Sequence, residues 1–150
     1  MGELDAVVHG YGIAGSAPRR RTRRGTGRLC SGPRRQVIAR AGNRILAEHD
    51  PTAHAELVAI RHAAHLLGSE RLEDCDLYVT LEPCAMCAGA VSFARIRRLY
   101  YGAADPKSGA VDNGVRIYAS PSCHHRPEVY GGLAEAAAGD LLKKFFKERR

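Results

Sequence analysis

The segment Thr52-Ala53-His54-Ala55-Glu56, answered about thirty residues later by Glu82-Pro83-Cys84-Ala85-Met86-Cys87, constrains this chain more than any other feature. The fold has to bring both segments to one point. His54, Cys84 and Cys87 together suit a single zinc ion. Zinc takes four tetrahedral ligands in structural sites, but three protein ligands and a water in catalytic ones. The sequence offers no convincing fourth ligand, so the reading is an open, catalytic site. Glu56, two residues beyond the histidine, is placed to handle the protons of that water. The alternative is a closed zinc staple with His49, His62, His65 or His124 as the fourth ligand.

The spacing of apolar residues supplies a frame for these segments. Val37-Ile38-Ala39 reads as a short strand followed by a Gly42-Asn43 turn. Asp50-Pro51-Thr52 reads as a helix start, with Leu57, Ile60, Ala64 and Leu67 at helical spacing and Gly68 as the stop. His54 and Glu56 then fall in the first turn. Leu77-Tyr78-Val79-Thr80-Leu81 is β-branched and aromatic, a buried strand. Pro83 ends it and opens a second helix through about Phe93, with Cys84 and Cys87 in its first turn. Leu99 to Gly102 is a strand, 105–109 a loop, and Val115–Tyr118 and Glu128–Tyr130 are extended candidates. A last helix runs from about Leu133 to Arg150. Strands alternating with helices argue an α/β layered sheet.

At 150 residues the chain suits one domain with a real core. No apolar run reaches membrane-span length, and the expected location is the cytoplasm. Two of the five cysteines stand at C-x-x-C spacing beside H-x-E, which favours metal over disulfides. The net charge of +7 is unevenly placed. Residues 1–35 hold eight arginines against Glu3 and Asp5, or +6, and the remainder holds 15 basic and 14 acidic groups, or +1. A basic arm of this kind is one route to nucleic acid. With its run Arg19-Arg20-Arg21-Thr22-Arg23-Arg24 and its glycines, segment 1–35 keeps no helical or strand period and is expected to be irregular. Residues 36–150 are the expected zinc-dependent catalytic domain.

The chemistry follows from the ligand set. Cysteines at i and i+3 of a helix start put both sulfurs on one side, where exposed amides favour thiolates. Zinc lowers the pKa of its water to roughly 7. Glu56 is not needed as a ligand and can pass a proton from that water to a leaving amine. H-x-E paired with P-C-x-x-C is already the established signature of nucleobase deaminases, with the glutamate as general acid and base.

Residues 36–150 resemble the bacterial tRNA-specific adenosine deaminases, within the wider cytidine-deaminase-like superfamily. The match runs through Asp50 to Glu56, Leu77 to Ala90, Ala94-Arg95-Ile96, Gly102-Ala103, Asp105 to Ala110, and Phe145-Phe146 with Arg149-Arg150. The resemblance implies a three-layer α/β fold, a mixed sheet of about five strands flanked by helices, in a homodimer with one zinc per subunit. It implies inosine formation at the wobble position of a tRNA, an arginine tRNA read through its anticodon stem-loop. Glu56 would be the proton shuttle and His54, Cys84 and Cys87 the ligands. Asn43 would hydrogen-bond the adenine, and the Ala55 amide would help to place the base or the water. Asp105 and Lys107 would meet the anticodon-loop backbone, and Phe145, Phe146, Arg149 and Arg150 would grip flanking nucleotides. By physics alone the two phenylalanines read more readily as core residues than as a stacking platform.

The family begins with a helix and a strand reading Gly-Glu-Val-Pro-Val-Gly-Ala, and nothing like it stands in residues 1–35. Read one base later, with permitted codons, residues 23–35 can give Gly-Glu-Val-Pro-Val-Gly-Cys-Val-Leu-Val-Arg-Asp-Gly, running straight into Gln36. The expectation is that 1–35 is a frameshifted reading, and that the chain as written lacks one strand and exposes a sheet edge. Two alternatives stand beside the tRNA reading: a free cytosine or guanine deaminase, and a catalytically impaired zinc- and tRNA-binding protein.

Overall fold

Strand pairing around 77–81 organises the molecule. The computed structural model describes residues 5–11 and 35–132. In chain order these form β1 (Asp5–Tyr11), β2 (Arg35–Gly42), α1 (Ile45–Glu48), α2 (Ala55–Leu67), β3 (Asp76–Leu81), α3 (Ala85–Phe93), β4 (Arg98–Ala103) and β5 (Glu128–Tyr130). The expected C-terminal helix lies outside the described residues, as do Phe145, Phe146, Arg149 and Arg150. The sheet runs β2-β1-β3-β4-β5. β1 is antiparallel to both neighbours, while β3, β4 and β5 are parallel. This is the mixed five-stranded α/β sheet expected.

The expectation of a missing strand is corrected by β1. Asp5–Tyr11 lies inside the segment expected to be irregular, yet it holds the place between β2 and β3. Ala6, Val7 and Val8 are all buried. A strand buried on both faces shows no polar–apolar alternation, so a run of three apolar residues among glycines carries little periodic signal. The impaired-protein alternative rested on the absent strand, and the described sheet has five members.

Register sorts the side chains onto two faces. Ala6 opposes Val79 and Val8 opposes Leu77 across β1 and β3, and Leu77 opposes Leu99 across β3 and β4. These residues share one buried cluster with Ala59 and Ala63 of α2 and Ala88 and Val91 of α3, which fixes the helical side of the sheet. On the other side Tyr78, Tyr100 and Tyr130 stack in a row, with ring centroids 4.4 and 4.9 Å apart. Buried Asp76 accepts two hydrogen bonds from Arg97, both at 3.0 Å, which ties the start of β3 to the turn after α3.

The helices differ in detail from their sequence reading. Asp50-Pro51-Thr52 forms a turn, in which Asp50 Oδ1 accepts from the Thr52 amide and hydroxyl, and α2 begins only at Ala55 with His54 as its N-cap. Asp50 thus competes with the helix for the local amides. Leu57, Ala64 and Leu67 flank the buried stripe, whose centre is Ala55, Glu56, Val58, Ala59, Ile60 and Ala63. Gly68 closes α2 at φ 61° with its N–H on the carbonyls of Ala64 and His65, as expected of a helix stop. Val115–Tyr118 is not extended: Ile117–Ala119 forms a 3₁₀ turn. Among the described residues no helix is long and apolar enough to cross a membrane.

Candidate metal centre

Two helix starts meet at the carboxyl end of β3. His54 caps α2 and Cys84 caps α3, both with extended backbone. Cys87 lies in the first turn of α3. The ligand atoms of His54, Cys84 and Cys87 lie within 4.8 Å of one another, with His54 Nδ1 3.8 Å from Cys84 Sγ. Among the described residues this is the group of side chains arranged to hold a metal ion. His49, His62, His65 and His124 are exposed and stand outside it. His125 is turned elsewhere, its Nε2 2.6 Å from the carbonyl oxygen of Ile96.

The electrostatics favour a cation between the sulfurs. The Cys84 sulfur accepts from the Cys87 thiol and from the amides of Cys87 and Met86; these bonds outweigh burial and hold its pKa at about 5. Cys87, hydrogen-bonded to Cys84 and buried, is pushed far up. The amides at the start of α3 thus favour negative charge on the Cys84 sulfur, the form in which cysteine ligates a metal.

Glu56 is 6% exposed, and burial pushes its carboxyl up. Its Oε2 is buried with no hydrogen-bond partner. An orphaned carboxylate oxygen costs roughly 1–3 kcal/mol, and here it stands beside three metal-ligating side chains. Donor set and orphaned oxygen together fit a zinc with an open coordination position.

Asn43 and Ala55 belong to the same neighbourhood. The Arg44 amide donates to the carbonyl of Ala53 at 2.9 Å, which ties the end of β2 to the residue before His54. Asn43 Oδ1 accepts from the Ile45 amide at 3.0 Å, which fixes the side chain and leaves its Nδ2 as the end suited to a ligand acceptor. Ala55 is buried at the first position of α2. Lys107 is exposed; Asp105 Oδ1 accepts from the amides of Lys107 and Ser108, shaping the loop from within.

Glu82 was quoted within a motif but given no role by sequence reasoning. It is 3% exposed. Burial pushes its carboxyl up, but hydrogen bonds from the amides of Asn113, Asp105 and Asp112 and from the Asn113 side chain outweigh it and hold the pKa at about 2. A carboxylate directly before Pro-Cys was the available signal, but its partners lie 23 to 31 residues away. Tyr118 was also missed: its hydroxyl donates to the carbonyl of Ala88 at 2.9 Å, bracing α3 next to Cys87.

Comparison with known proteins places the chain among deaminases. The model of the MafB19-like deaminases matches residues 14–150. The tRNA-specific adenosine deaminase of Agrobacterium fabrum is 62% identical over 115 residues, covering 77% of this chain and 76% of its own. That of Bacillus subtilis is 43% identical over the same length, covering 77% and 71%. A structure from work on A-to-I editing by tRNA deaminases at the wobble position of transfer RNA is 51% identical. It covers 86% of this chain and 82% of its own, with a TM-score of 0.67. A guanine deaminase from Nitrosomonas europaea shares the fold at 23% identity, with a TM-score of 0.56 over 95% of this chain and 71% of its own.

Proposed function

Since this chain belongs to the MafB19-like deaminases, and among them to the tRNA-specific adenosine deaminases, we propose that it converts adenosine to inosine at the wobble position of a tRNA, using one zinc ion per subunit. The observation that carries this reading is the orphaned, buried Oε2 of Glu56 beside His54, Cys84 and Cys87.

His54, Cys84 and Cys87 would hold the zinc. When bound, zinc supplies Lewis acidity that makes hydroxide available near neutral pH. Glu56 then carries the proton traffic at Oε2: it takes a proton from the attacking water and returns it to the amine leaving the purine. Adenosine and water thus give inosine and ammonia. Burial of Glu56 narrows the gap between its basicity and that of the groups it serves, which suits a shuttle that loads and unloads in one turnover. Asn43 orients the base through its Nδ2, and the Ala55 amide helps to place the base or the water. Asp105 and Lys107 meet the backbone of an anticodon stem-loop, while Phe145, Phe146, Arg149 and Arg150 hold flanking nucleotides. An anticodon loop suits such a site because its bases are unstacked at little cost. The substrate is an arginine tRNA, the working unit a homodimer, and the location the cytoplasm.

The test is inosine and ammonia formation from an anticodon stem-loop with adenosine at the wobble position, set against free cytosine and guanine. Turnover of the RNA alone is the expected result. Deamination of a free base with the RNA untouched would replace the reading with that of a free-base deaminase.

We also propose that segment 1–35 is a frameshifted reading of a normal deaminase gene and that 36–150 is the deaminase domain. Read one base later, with permitted codons, residues 23–35 can give the family's first strand directly ahead of Gln36, a competitor for the central place that Asp5–Tyr11 holds. Peptide mapping of protein from its native source tests this. Recovery of peptides spanning Arg24 to Gln36 as written would overturn it.

A further inference from the structure

A single buried side chain joins the metal helix to the loop that the proposed function assigns to RNA. Glu82 is the residue before Pro83, at the entry to α3, and is 3% exposed. Its Oε1 accepts from the backbone amides of Val111, Asp112 and Asn113 at 3.1, 2.8 and 2.9 Å. Its Oε2 accepts from the Asp105 amide at 2.9 Å and from Asn113 Nδ2 at 2.6 Å. The carboxylate therefore grips both ends of the 105–113 loop at once. The grip is supplemented by the Ala110 amide on the carbonyl of Pro83 at 3.0 Å and by a bridge between Cys84 and Gly109.

The loop has been built around this carboxylate. A Cβ on Gly109 would stand 2.5 Å from the Glu82 Cδ and 2.6 Å from its Oε2, with the Asp105 carbonyl equally close. The two oxygens also do different work. Oε1 holds the inner arm alone, through the amides of Val111 to Asn113; Oε2 holds the outer arm through Asp105 and is tied to the inner arm through the Asn113 side chain, and the outer arm carries exposed Lys107. A neutral hydrocarbon core could pack the loop against α3, but it would not distinguish one end of the loop from the other.

We propose that Glu82 is a positioning residue for RNA binding. Through Oε2 it sets the height of the Asp105–Ser108 turn relative to the metal helix, so that RNA backbone held by the turn presents its base at the metal centre. It touches neither the substrate nor the reacting atoms. The proposal rests on the tRNA deaminase reading, with the loop as the part that meets RNA.

The test uses the full zinc-loaded chain with Glu82→Gln. The amide oxygen of glutamine can replace Oε1 toward the inner amides. Its NH₂ then faces the Asp105 N–H and Asn113 Nδ2, two donors with no acceptor. Expected are a KM for the anticodon stem-loop raised about 10-fold, kcat within about 3-fold of wild type and an unchanged zinc content. Amide hydrogen exchange should quicken at 105–108 while 111–113 stays protected. Asn113→Ala removes one donor from Oε2 without burying a new polar group, and should move KM the same way by a smaller factor. Inosine formation by the wild type stands as the separate check on the tRNA reading. The exchange pattern reads the grip even if that reading fails. A Glu82→Gln chain with unchanged KM and exchange would overturn the proposal, as would one whose kcat or zinc content falls while KM holds. If Glu82→Gln does not fold, unchanged KM in Asn113→Ala would overturn it equally.

Discussion

At the scale of single residues, the proposed chemistry separates the zinc ligands from the proton shuttle. Glu56→Ala should keep its zinc, because the three ligands stay in place, yet lose turnover by at least about 10³-fold, near the upper range for general acid–base catalysis. Metal analysis together with inosine formation checks both halves; wild-type turnover by this variant would remove Glu56 from the shuttle role. Cys87→Ala should behave in the opposite way, losing zinc and activity together. Chelation of the wild type should lower Tm as well as activity, since a metal bound only by the folded state stabilises that state by mass action. Zinc added back should restore both. The grouping of His54, Cys84 and Cys87 was legible in the sequence because residue types and spacing of this kind belong to the chemistry proposed for them. Glu82 was not, because its importance lies in five donors it meets only after the chain has folded back on it.

At the scale of elements, the loops decide as much as the helices do. Gly109→Ala sets a methyl against the carbonyl of Asp105 and the carboxylate of Glu82. Neither can retreat without giving up hydrogen bonds, so a loss of about 2 kcal/mol or more is expected in urea unfolding. Arg97→Ala leaves the Asp76 carboxylate, 1% exposed, without its bidentate partner. A cost of about 2–3 kcal/mol is expected by the same measurement. Sequence spacing located α2, α3, β3 and β4 to within a few residues. It misjudged where α2 starts, since Asp50 captures the Thr52 amide in a local turn, and it read Val115–Tyr118 as extended although Arg116, with positive φ, leads into the 3₁₀ turn Ile117–Ala119. Short-range competition for backbone groups of this kind is settled by a few hydrogen bonds, too few to leave a period.

At the scale of the whole molecule, the sheet depends on its central strand. Val8 is fully buried between the pairings of β1 with β2 and β3. Val8→Asp should cost more than about 3 kcal/mol, because a carboxyl there has neither water nor a partner; circular dichroism and the unfolding midpoint check this. Native-like stability in that variant would show that Asp5–Tyr11 is dispensable to the sheet.

The sequence alone pointed to the proposed chemistry: a histidine, two cysteines and a glutamate at H-x-E and P-C-x-x-C spacing are the pattern from which zinc-assisted deamination is inferred. It also located the helices and strands that build the core, although of the α2 positions read from the helical period only Ile60 lies in the buried stripe. Tertiary structure decided the order of the sheet, the strand that fills its centre and the hold of Glu82 on the 105–113 loop. Each of these joins residues far apart in the chain. A buried strand has no polar face to mark it, and a carboxylate shows its partners only when distant amides converge on it.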